Sequence, residues 1–484
     1  MKGSRVQTFY WHDYETWGTN PAIDRPSQFA GLRTDLDFNI IGEPLVIYCR
    51  PPQDLLPQPD ACLITGITPQ YAREHGLSER DFVSAIHDEL SQPGTCGVGY
   101  NSLRFDDEVT RYALYRNFYD PYAREWQSGN SRWDIIDMVR ACRALRPDGI
   151  EWPNGDDGSP SFKLEQLTAA NGLRHEHAHD ALSDVYATIA IAKLIKTKQP
   201  KLFDYLFNLR NKREVAKLLD LGERRPVLHI SGMFPAERGC GALVMPLLQH
   251  PTNSNGIVCY DLSVDPEPLL TLDAAEIRRR LFTPSAELDA PRIALKTIHT
   301  NRCPVVVTAK MIDERVAALM QIDVGRCEQH RQQLLAATTL EMKLRDVLAE
   351  PPRTPITDPE QALYSGGFLG DADRALIAQL RAAPPQELRQ FADRFRDKRL
   401  REMLFRYRAR NFPESLSAEE RVQWRNFCRA RLTDPAFGGG LLIDQYRRLL
   451  DEREAEAGDD AAQRALLQQL RAYGDELLAN CVAK

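Results

Sequence analysis

The stretch YWHDYETWG, residues 10–18, sets Asp13 and Glu15 two positions apart in a run of aromatic and β-favouring residues. Side chains at i and i+2 of a strand leave the same face, so the two carboxylates can reach one point. Carboxylates that close repel unless positive charge lies between them. A divalent cation that prefers oxygen ligands satisfies both, as magnesium does with one or two carboxylates and a substrate phosphate. Alone, a D-x-E pair is far more often the solvent-facing end of a strand. Two further stretches change that balance. YNSLRFDDE places Asp106 just past an apolar run with Asn101 five residues before it, and HDALSD places His179 five residues ahead of Asp184 at the start of a helical pattern. Asp107 and Asp180 neighbour these acids, but a shift of one position turns a side chain away, so both read as structural or solvated. HEHAH also offers His175, His177 and His179 as a histidine-rich metal site. Only His179 stands five before an aspartate followed by an apolar helix, so the other two read as surface residues.

The elements that must position these groups have their own signatures. Residues 6–12, 29–36, 44–49 and 95–101 read as short strands. The runs DEVTRYALYRNF, KLEQLTAANG and DALSDVYATIAIAKLIKTK read as helices that alternate with the later parts. Early strands followed by helix and strand alternation predict an α/β fold, a mixed sheet flanked by helices. Proline-marked breaks at KTKQPKL and AEPPRTPITDP divide the chain into 1–199, 200–352 and 353–484. In the second segment PVLHISG, ALVMPLLQH, GIVCYDLS and the pair RIALKTIHT and CPVVVTA are short β runs between turns, with one helix near DAAEIRRRLF, which predicts a small β-barrel. The third repeats helical patterns such as KRLREMLFRYRAR and AQRALLQQLRAYGDELLAN and is predicted to be all-helical.

Composition narrows the function classes. The 484 residues are 43% hydrophobic and 27% charged, enough for several cores, with no apolar run long enough to span a bilayer. The start MKGSRVQTFYW lacks an apolar signal core, and ten cysteines occur without a C-x-x-C pair, which argues for free thiols in the cytoplasm and against a structural zinc site. A net charge of −6 requires any nucleic-acid contact to be local. One such region is Arg389 to Arg431, with 13 Lys or Arg against 6 Asp or Glu.

The order Asp13, Glu15, Asp106, His179, Asp184 resembles the three-motif signature of the DEDDh exonucleases. The stretches HDYETWGTNPAIDRPSQFAGLRTD, GYNSLRFDDEVTR, SRWDIIDMVRACRALRPDGI, EHAHDALSDVYATIA and FRYRARNFP resemble bacterial exonuclease I more specifically, through all three segments. The resemblance implies a ribonuclease-H-like nuclease domain, a Src-homology-3-like barrel and a C-terminal helical domain that together embrace a strand in a basic groove. It implies 3′-to-5′ removal of mononucleotides from single-stranded DNA in repair and recombination, by a monomer that docks the acidic tail of single-stranded DNA-binding protein. In-line attack on a phosphodiester is served by two metal ions flanking the reacting oxygens. Asp13, Glu15, Asp106 and Asp184 would hold two Mg2+ ions, for which Mn2+ can substitute, and His179 has the near-neutral basicity to take the proton of the attacking water. A tyrosine base would stand ahead of the last aspartate, whereas Tyr186 follows it.

Gripping an unpaired strand calls for aromatic platforms beside cations. Arg111, Tyr122, Arg124, Trp126, Trp133, Arg140, Phe162 and Lys163 are the candidates near the motifs, each weighed against ordinary core packing. The resemblance places Phe162 and Lys163 at the nucleotide beside the scissile bond. Where the family carries arginine this chain has Lys163, which keeps the charge and gives up the bidentate fork. FRYRARNFP either lines the groove or pairs its arginines with Glu402 and its neighbours. The alternatives in function are an RNA-trimming oligoribonuclease-like member of the superfamily and a catalytically silent nucleic-acid-binding module.

Overall fold

The computed structural model describes residues 7–175, 180–349, 356–437 and 439–482. The chain forms two compact units, one of residues 1–131, 176–186 and 354–484, the other of residues 132–175 and 187–353.

In the first unit, β1 (Thr8–Thr16) runs between β2 (Pro26–Thr34) and β4 (Thr95–Gly99), and β3 (Ile40–Tyr48) lies beyond β2. β1 pairs antiparallel with β2 and parallel with β4, so the sheet is mixed as expected. The first strand runs four residues beyond the predicted end at 12, because pairing with β2 continues through Asp13↔Ala30 and Glu15↔Gln28. Pairing with β4 stops at Trp11↔Val98, so both acids lie on β1 beyond the point where that neighbour ends. Trp11 is fully buried and its Nε1 donates to Thr34 Oγ1 at 2.9 Å, while the Tyr14 ring packs on Phe29. These aromatics anchor the strand from which the carboxylates project. A Cβ at Gly97 would come within 3.5 Å of Arg124 Nη1 and 3.7 Å of His12 Nε2, so this strand position leaves room for both.

Helices from Asp371 to Val482 complete the same unit. Trp17, Leu56, Cys62 and Ala72 share one apolar core with Trp424, Leu432, Tyr446 and Leu470, and Tyr115 and Phe118 share another with Leu388, Phe391 and Met403. Between these cores the arginines of FRYRARNFP are buried and paired. Arg406 bonds Asp358 at 2.7 Å, Arg408 bonds Glu420 at 2.8 Å, and Arg410 reaches both Asp54, at 2.8 Å, and Glu360. Arg25 and Arg431 enter the same network through Glu360 and Asp358. The groove-lining alternative for these arginines is thus corrected. Their partners are mostly distant acids, and Glu402 is only one of them.

In the second unit, short strand β5 (Ser131–Asp134) begins on the last residue of the first. It is followed by β6 (Val227–Ile230), β7 (Gly241–Gln249), β8 (Gly256–Asp261), β9 (Leu295–His299) and β10 (Val305–Thr308). The last five form one antiparallel sheet in the order β10-β6-β7-β8-β9, and the predicted helix falls at Ala274–Phe282. The register shift at Pro246, which has no N–H to give the ladder, bends β7. All ten cysteines are buried, and no described helix is long and apolar enough to cross a membrane.

Candidate active site

Alternation along β1 buries Tyr14 and Thr16 and leaves Asp13 and Glu15 partly accessible on the opposite face. The helix Ala181–Lys198 brings Asp184 to the same place. One oxygen from each of Asp13, Glu15 and Asp184 lies within 4.8 Å of the others. Asp106 joins from the first position of the helix Asp106–Arg116, where the Tyr14 backbone N–H donates to its Oδ1 at 3.1 Å. The peptide between the two strand acids therefore holds the third acid in place. Thr110, one turn further along that helix, bonds the Tyr14 hydroxyl at 3.0 Å and fixes the helix against the strand a second time.

Crowding of like charge shows in the acidities of the two strand acids. Burial, then Asp106, Glu15, Asp184 and Asp180, hold Asp13 well above the usual carboxylate range. Burial, then Asp184, Asp106 and Asp180, push Glu15 up to about 8. A site that makes carboxylates this reluctant to ionise is one a cation would stabilise. An all-oxygen donor set clustered within 4.8 Å suits a hard divalent ion such as magnesium. Asp180 caps its helix, its Oδ2 accepting from the Ser183 N–H at 3.1 Å, as the structural reading expected, yet its charge also reaches Asp13 and Glu15. The sequence reading missed that electrostatic share.

The other predicted residues are placed as follows. His177 and His179 lie outside the described residues, and His175 Nδ1 sits 3.2 Å from Thr168 Oγ1. Asp107 is structural, as read: it is buried against Arg124 at 2.5 Å. That pair withdraws Arg124 from the strand-contact candidates, and Trp133 is likewise buried, packed on Phe203 and Phe207. Arg111 is buried with its guanidinium on Glu125 and Glu108, so a phosphate there would compete with two carboxylates. The Tyr122 ring lies 5.3 Å from that guanidinium, and Trp126 is 64% exposed. In the second unit Arg140 bonds Asp137 at 2.6 Å and sits 5.6 Å from the centre of the Phe162 ring, and Lys163 is exposed.

Residues 10–192, which hold the mixed sheet and the acidic cluster, match the family model described as Exonuclease. Two further family models match, the Exonuclease I SH3-like domain over residues 210–350 and the Exonuclease I C-terminal domain over 357–477. The chain is 47% identical to Exodeoxyribonuclease I of Escherichia coli strain K12, over 98% of this chain and 99% of that protein. Among solved structures it resembles an exonuclease I from Methylocaldum szegediense (TM-score 0.93, 51% identity, 98% of this chain and 100% of that one). It resembles equally the E. coli Exonuclease I crystallised with a dA16 oligonucleotide (TM-score 0.93, 47% identity, 97% and 100%). The chain belongs to the exonuclease I family.

Proposed function

We propose that this exonuclease removes 5′-mononucleotides from the 3′ end of single-stranded DNA, with Asp13, Glu15, Asp106 and Asp184 as ligands of two Mg2+ ions. The observation that carries the reading is the convergence of three carboxylates within 4.8 Å, with Asp106 tied to the same strand. Bound there, divalent cations supply charge stabilisation to the attacking and leaving oxygens of the phosphodiester. The chain's own residues do the rest. The acids fix where that charge sits, and His179 accepts the proton of the attacking water on an imidazole nitrogen, a role supported by its spacing and by the family. Tyr122 and Trp126 stack on unpaired bases, and Arg140, Phe162 and Lys163 hold the nucleotides near the 3′ end. Arg111 serves by carrying Tyr122.

Family membership supports dividing the work among 1–199 for the chemistry and 200–352 and 353–484 for guiding the strand. It also supports Mn2+ as a substitute, a cytoplasmic monomer, a partner in the acidic tail of single-stranded DNA-binding protein, and a part in repair and recombination. The test is digestion of 5′-labelled and 3′-labelled DNA and RNA oligonucleotides with and without EDTA. Stepwise shortening of 5′-labelled single-stranded DNA that EDTA abolishes is expected. Preference for RNA would make the protein an RNA trimmer, and the absence of metal-dependent cleavage would leave a binding module.

A further inference from the structure

The turn that carries Tyr122 and Trp126 is tied to the helix that carries Asp106 by two ion bridges of opposite sense. Arg124 on the turn donates to Asp107 on the helix at 2.5 Å, with both side chains 2% exposed. Glu125, the next residue of the turn, receives both forks of Arg111 on the same helix, at 2.7 and 2.8 Å. Asp107 and Arg111 are four apart on one helix face, and Arg124 and Glu125 are adjacent, so two bridges join the turn to one face of the helix. The turn is thus held to the first turns of the helix at two points. The Arg124 guanidinium also reaches toward β4 and β1, since the open position at Gly97 faces its Nη1 and the His12 ring. Asp106 is one residue from Asp107 and is itself held by the Tyr14 N–H. A continuous set of contacts thus runs from the strand acids to the aromatic turn.

We propose that Asp107 and Arg124, with Arg111 and Glu125 beside them, are positioning residues that transmit cation binding at the carboxylates to the turn Tyr122–Trp126, readying it for a nucleotide. The inference rests on the cation reading of the site, and coupling between two sites held by one rigid element is reciprocal. Drawing Asp106 toward a bound cation moves the first turn of its helix, and the two bridges oblige the aromatic turn to follow.

The experiment is amide hydrogen exchange of the full chain without DNA, in EDTA and in saturating MgCl2, with magnesium binding followed separately by calorimetry. In the wild type, magnesium is expected to slow exchange in the turn 122–126 by about fivefold, the low end of known couplings. Arg124→Lys, which keeps the charge and loses the fork, should retain magnesium binding and lose that protection. Glu125→Gln, which leaves the buried Arg124–Asp107 pair intact, should lose part of it and serves if Arg124→Lys does not fold. A purely structural role would lower Tm and leave the magnesium-dependent difference unchanged. Magnesium binding without any change in the turn overturns the inference alone, whereas no magnesium binding in the wild type overturns the cation reading beneath it.

Discussion

Two clusters of buried charge lie in one compact unit and behave in opposite ways. In the arginine network, burial by itself would raise Asp54, but Arg410 and Arg431 prevail and bring it down to about 2, while Arg410, Arg25 and Arg406 hold Glu360 well below its ordinary value. In the carboxylate cradle the neighbouring acids Asp184, Asp106 and Asp180 add to burial, and Glu15 rises to about 8. Both regions cost desolvation energy. The network recovers it from its own side chains, so it is complete as folded. On the proposed reading the cradle recovers it when a divalent cation binds, so gathered like charges mark the candidate site and matched charges mark a joint.

That contrast can be broken or sharpened in four ways. Asp184→Asn removes a ligand from the cradle and should lower nuclease activity by on the order of 10³-fold, since the ion's charge stabilisation is worth several kcal/mol. Without metal the variant should be at least as stable as the wild type, because a repelling charge has gone; initial rates and thermal melts check both. In the network the signs reverse. Glu360→Ala removes the acid that Arg25, Arg406 and Arg410 share and should cost about 3–5 kcal/mol in urea unfolding, the penalty of breaking a buried pair. Activity below the melting transition should fall far less than in Asp184→Asn.

The pH response separates the two regions again. Glu15 has a folded pKa above its unfolded one, so its stabilising share is complete below about pH 4.5 and is lost as pH rises through about 8. Metal-free protein should therefore gain stability on acidification from pH 8.5 to 5.5, and Glu15→Gln should remove much of that slope. Asp54 has a depressed pKa, so its share is present above its unfolded value near 3.8 and is lost as pH falls through about 2. Chemical denaturation at a series of pH values reads both slopes. The smallest effect is expected at Arg73–Glu476, a pair about half exposed, where Arg73→Ala should change stability by less than about 1 kcal/mol.

How much of this was legible in the sequence follows from the range of each signal. Asp13 and Glu15 could be read because two-residue spacing on a strand is local geometry, and KRLREMLFRYRAR could be read as a helix because periodicity is local too. The partners of that helix could not. Arg410 finds Asp54 across 356 positions, and no periodicity records which distant acid a buried arginine will meet. The end of β1 was placed too early for a related reason: aromatic and β-branched content marked where the strand starts, whereas pairing with β2 decides where it stops. Arg124 looked like a phosphate contact because it stands among aromatics, and only the fold shows Asp107 beneath it. Phe162 and Lys163 were found through family wording, since nothing in their local pattern distinguishes a platform from a helix start.

The central claim is that the cradle is a divalent-cation site that drives the nuclease. The most direct test titrates MgCl2 into wild type and Asp13→Asn at pH 8 and follows Tm alongside release of nucleotides from single-stranded DNA. The account predicts that Tm and activity of the wild type rise over the same magnesium range and that Asp13→Asn shows neither rise. A magnesium-dependent increase in both that survives in Asp13→Asn would contradict it.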